Sequence, residues 1–160
     1  MEHIQEQMKE QFQNAFNDLV RDALQDDHPY IAKLYAEIRD RLASMVKPNG
    51  KTWLRIHEQL DVEFLEQLLK HNQFTTTSLI GLVNTTFEWI RMLQAPQRDS
   101  LSEAAKQRVL AGETAEDIVP TYIREVHGCL DHMEQDMKEF MDNREHPVVQ
   151  EMLRRAARRS

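Results

Sequence analysis

Apolar residues recur at three- and four-residue steps along almost the whole chain, and few helix breakers interrupt them. Only 4 of the 160 residues are glycine and 5 are proline. That spacing gathers apolar side chains into one stripe along a helix. The residues between are rich in glutamine, glutamate, arginine and alanine, which lose little freedom in a helix. The pattern predicts an all-α fold, a single-domain bundle of six or seven helices packed around one core. Hydrophobic residues at 41% and charged residues at 29% fit a folded domain of ordinary size rather than a disordered tail.

The breakers place the elements. Ile4, Met8, Phe12, Phe16, Leu19, Val20, Ala23 and Leu24 form a first stripe, ended by Asp26-Asp27-His28-Pro29. A second helix from near Pro29 carries Ile31, Leu34, Tyr35, Ile38, Leu42, Met45 and Val46, and Pro48-Asn49-Gly50 stops it. The stretch from Thr52 to about His71 divides at Leu60-Asp61-Val62, where Asp61 suits a helix cap. Thr75 to Ser78 offers hydroxyls to open the next helix, and Ala95-Pro96-Gln97-Arg98-Asp99 forms a loop after it. Ser100 or Ser102 is expected to cap a short helix ending at Gly112. A long helix from near Thr114 to about Asn143 takes Pro120 into its first turns, and Gly128 inside it suggests close approach of another helix. Residues 1–147 read as the helical domain, with 1–27 its N-terminal amphipathic helix and 148–160 a basic C-terminal helix or tail.

Charge is uneven. The net charge is -7, but the last ten residues carry four arginines and one glutamate. The tail is therefore +3 and the rest of the chain -10, which argues against a whole-surface nucleic-acid platform. Arg154, Arg155, Arg158 and Arg159 are candidate contacts for phosphates, anionic lipid or an acidic protein patch, set against a simple cationic helix end. A single cysteine, Cys129, forms no internal disulfide, and no secretory signal or membrane-spanning run is visible. Together these point to an intracellular, cytoplasmic protein.

No catalytic, cofactor or metal site is expected. Glycine-rich phosphate loops, Gly-x-Ser-x-Gly and His-Glu-x-x-His are all missing from the sequence. His127, Cys129 and His132 lie two and five residues apart, which spreads them around a helix instead of converging them on an ion. Cys129 reads as a buried structural thiol, and Tyr35, Trp53, Phe87 and Trp89 as core aromatics.

Four blocks carry a resemblance. They are Tyr30-Ile31-Ala32-Lys33-Leu34 through Glu37-Ile38-Arg39-Asp40-Arg41-Leu42, then Leu54-Arg55-Ile56-His57-Glu58-Gln59-Leu60-Asp61 followed by Leu65. Next come Met92-Leu93-Gln94-Ala95-Pro96-Gln97-Arg98-Asp99 and Leu130-Asp131-His132-Met133-Glu134-Gln135-Asp136-Met137-Lys138-Glu139-Phe140. In order and content they resemble the T-complex protein 11 domain, as a compact version of its N-terminal part. The resemblance implies a non-enzymatic helical regulator or adaptor linked to cyclic-AMP and protein kinase A signalling. It implies a protein partner and brings no catalytic residue or cofactor.

The third block also has a physical reading. Pro96 ends a helix. Arg98 is expected to donate to the carbonyls at that helix end, and Asp99 to accept from the amides opening the next. Pro96, Arg98 and Asp99 are therefore candidates for a helix corner or for an interaction site. The alternative function is a nucleic-acid or anionic-membrane contact through the arginine tail.

Overall fold

The computed structural model describes residues 2–143 and 147–159, and among them there are only helices and turns. Eight α-helices follow in order: α1 (Glu2–Asp26), α2 (His28–Ala43), α3 (Lys51–Gln59), α4 (Val62–Lys70), α5 (Thr76–Leu93), α6 (Asp99–Leu110), α7 (Ala115–Asp142) and α8 (Pro147–Arg159). A 3-10 turn, Pro96–Arg98, joins α5 to α6. The fold is all-α, as the periodicity requires. The first seven helices build the packed body.

Short polar residues start these helices. Asp27 accepts from the Tyr30 amide to open α2, Asp61 from the Phe64 amide to open α4, and Thr75 from the Ser78 amide to open α5. α4 closes with Asn72 at φ 54, its amide bonded to the Leu69 carbonyl and that of Gln73 to Leu68. That is a left-handed cap with the paired bonds of a Schellman turn. Gly112 follows α6 where a Cβ would stand 2.9 Å from Ile118 Cγ1, so only glycine lets the chain pass the start of α7.

α7 is the centre of the bundle. It touches α1, α2, α5 and α6, while α2 also packs on α1, α3 and α4. Ile118, Tyr122, Val126 and Leu130 of α7 meet Ile38 and Leu42 of α2, Val83 and Ile90 of α5 and Val109 of α6 in one buried cluster. Each large aliphatic side chain withdrawn from water there contributes roughly 1.5–3 kcal/mol. The polar atoms inside are paired. Thr86 Oγ1 donates to the Leu82 carbonyl, so the Tyr122 hydroxyl, 2.9 Å away, donates to Thr86. Trp89 donates its ring N–H to Gln59. Tyr35, Phe87 and Trp89 are core, as the sequence indicates, and Trp53 is half-buried against His57.

Pro120 lies in the second turn of α7 and has no N–H to give the Glu116 carbonyl. Arg21 of α1 donates to that carbonyl instead, at 3.2 Å. The helix defect thus becomes a tie between α1 and α7.

Candidate functional site

Three places are candidates for contact with other molecules: the corner between α5 and α6, a groove beside α1, and the arginine helix α8. At the corner, Pro96 opens the 3-10 turn, and the Arg98 amide bonds to the Ala95 carbonyl. The Arg98 side chain then leaves the corner. Its Nε and Nη2 donate to the two carboxylate oxygens of Asp136 on α7, at 3.1 and 2.9 Å. This two-point pair lies partly buried, with Arg98 26% and Asp136 15% exposed.

Both expected roles at this corner are corrected. Arg98 binds a carboxylate on another helix, not the carbonyls ending α5, because packing brings α7 within its reach. Asp99 already has helical backbone angles, so it stands inside α6 and not at its cap. Its carboxylate accepts from Gln94 Nε2 at 2.9 Å. Neither Ser100 nor Ser102 caps α6. The preceding 3-10 turn runs straight into the helix, and buried Ser102 accepts from the same Gln94 nitrogen at 2.8 Å. Gln94, only 6% exposed, thereby links the end of α5 to the first turn of α6.

The groove lies where α1, α2 and α7 diverge. It is an open concavity of about 410 Å³ with an apolar floor of Phe16, Leu34, Ile123 and Gly128. Glu37, Arg124, His127 and Asp131 surround that floor. A Cβ added at Gly128 would meet nothing within 4 Å. The expectation that Gly128 marks close helix packing is therefore corrected: its missing side chain opens a surface. The in-helix glycine was the available sequence signal, but only the fold shows what faces it.

Arg41 of α2 organises one wall of the groove. Its Nη2 donates to Asp131 at 2.8 Å, its Nε to Glu134 at 3.1 Å and its Nη1 to His127 Nδ1 at 2.7 Å. A guanidinium only donates, so His127 Nδ1 is the acceptor and the ring proton sits on Nε2. Burial, and then the Arg41 charge, hold the His127 pKa below its usual value. Arg41 went unnoticed as a site residue because its partners lie on α7.

Cys129 is half-buried, and burial pushes its thiol up to about 11. That disfavours the thiolate a nucleophile needs. Among the described residues no group of three or more His, Cys, Asp or Glu is placed to hold a metal ion. No described helix is long and apolar enough to cross a membrane.

α8 presents Arg154, Arg155 and Arg158 at exposed positions, with Arg154 3.5 Å from Glu151. The Arg159 side chain lies outside the described residues. Arg98 and this tail do not form a common site: Arg98 is held by Asp136 inside the bundle.

The Arg98–Asp136 pair joins two of the four blocks. The model for T-complex protein 11 matches residues 1–152. The chain belongs to the T-complex protein 11 family. No curated protein and no solved structure matched it. For this T-complex protein 11 chain, the match spans α1 to α7 and enters α8.

Proposed function

We propose that this T-complex protein 11 chain is a non-enzymatic helical adaptor of the cytoplasm that holds a helix of a protein partner in the groove between α1, α2 and α7. One observation carries the reading: an open concavity whose lining includes Phe16, Leu34, Ile123 and Gly128, with charged side chains beside them. An amphipathic helix recognises such a groove through a few apolar anchors. The glycine leaves room for one of them. Glu37 at the edge favours a basic residue beside it. The Arg98 corner is the poorer docking site, since its guanidinium already has a carboxylate. The resemblance to the family makes cyclic-AMP and protein kinase A signalling the first pathway to examine.

The tail reading is weaker. Nucleic acid or an anionic membrane would meet a few arginines ahead of a body at -10.

Gly128→Leu tests the groove. A leucine in place of a helical glycine raises helix stability by roughly 1 kcal/mol, and a Cβ here meets nothing within 4 Å, so the side chain projects into the groove. Affinity capture from the native host is run with both chains, and protein kinase A subunits are probed among the retained proteins. The expected result is a melting temperature held or raised, with loss of the partner. Capture unchanged by Gly128→Leu would sink the groove assignment.

A further inference from the structure

Two helices leave apolar faces open, and they carry opposite charge. On α1, Ile4, Met8, Phe12 and Leu19 are 58, 51, 72 and 53% exposed. Met8, Phe12, Ala15 and Leu19 follow steps of four, three and four residues, the seam spacing of paired helices. The residues that α1 buries on the body, Val20 and Ala23, lie toward its C-terminal end. From Glu2 to Asp26 the helix has six carboxylates against Lys9 and Arg21, net -4.

α8 is the counterpart. Leu153 is 42% exposed, and Met152 beside it is half-exposed. Arg154, Arg155 and Arg158 occupy the rest, and the helix is net +3. None of its described residues joins the core. A helix of 13 residues is marginal alone in water and gains its order by docking.

We propose that two copies of the chain pair through these faces, with α8 of each copy lying along the outer face of α1 of the other. In one copy both faces stay open at once. A two-fold arrangement covers both and repeats the contact, taking the buried area toward the roughly 1,200 Å² of a stable interface. Charge selects this pairing: α1 on α1 would set -4 against -4, whereas α8 sets +3 against -4. An anionic membrane would suit α8 but would repel the acidic α1 and leave its seam uncovered. Leu153 lies on α8, away from the groove, so Leu153→Glu tests the pairing independently of Gly128→Leu, and Phe12→Glu tests its α1 side.

Sedimentation of the full chain, up to about 100 μM, reads the result. The expected species has twice the 18.9 kDa chain mass and weakens as salt rises. Phe12→Glu and Leu153→Glu should each weaken association at least about tenfold while leaving the melt of the dilute monomer unchanged. An equal mixture of the two variants should associate more tightly than either alone, because one intact α1–α8 contact returns. A chain that stays monomeric overturns the proposal. So does a dimer indifferent to Leu153→Glu, which would mean α1 on α1. Binding of the monomer to phosphatidylserine vesicles through α8 would assign that helix to lipid instead.

Discussion

The α5–α6 corner and the outer face of α1 show opposite uses of the same raw material. At the corner the buried and partly buried polar side chains are paired within the chain: Arg98 with Asp136, and Gln94 with Asp99 and Ser102. On α1 the apolar residues of four turns remain in water, Phe12 at 72%. In sequence the corner is a candidate interaction site and the α1 stripe an ordinary core-facing one. The difference lies in whether the fold completes them. A completed site stabilises the chain, and an incomplete one is available to another molecule.

Substitution should therefore separate stability from recognition. Arg98→Ala is expected to have the largest effect on folding. It leaves Asp136, 15% exposed, without its two-point partner, which should cost about 2 kcal/mol in denaturant unfolding. Asp99→Ala is expected to cost less, about 1 kcal/mol, because Gln94 keeps its bond to Ser102. If Arg98→Ala melts like the parent chain yet loses a partner, the corner is a recognition site and the contrast with α1 collapses.

The elements that were legible from sequence are local ones. Asp61 and Thr75 cap amides three residues ahead, so their roles follow from the chain itself. The apolar spacing likewise marks which residues of α2 and α7 avoid water. What could not be read is partner choice across the bundle. Arg98 and Asp136 stand 38 residues apart, Arg41 and His127 86. Their meeting depends on how α2, α5, α6 and α7 cross, which periodicity does not encode. The same limit explains α1. Its stripe predicts burial along the whole helix, yet Phe16, Val20, Ala23 and Leu24 reach the core while Ile4, Met8, Phe12 and Leu19 stay exposed. The groove was illegible for the converse reason: Gly128 reveals an empty neighbourhood only once α1 and α2 are in place.

On the α1 side of the comparison, Phe12→Ser should change unfolding free energy by no more than about 0.5 kcal/mol, since an exposed side chain gives up little packing. A loss above about 1.5 kcal/mol at a concentration where the chain is monomeric would show that Phe12 is buried in the folded monomer. In that event the corner and the helix face would both be internal, and neither surface would be open to a partner.

The smallest expected effect belongs to His127, which sits between the two regimes because it is bonded on one side and faces the groove on the other. Its folded pKa is lowered, first by burial and second by Arg41. The unfolded chain should bind this proton near pH 6.5, ahead of the folded chain. The contribution of neutral His127 is therefore fully present above that pH and declines as pH falls toward the lower folded value. Protonated Nδ1 can no longer accept from Arg41 Nη1, so the 2.7 Å bond breaks and two cations face each other across the groove wall. Arg41 keeps Asp131 and Glu134, which limits the damage. Stability measured from pH 7.5 down to about 5.5 should fall by a few tenths of a kcal/mol from this site alone. His127→Gln keeps an acceptor without a titrating group, so the difference between the two pH profiles isolates the histidine. Parallel profiles over that range would mean that His127 takes up its proton equally in both states and that Arg41 does not set its charge.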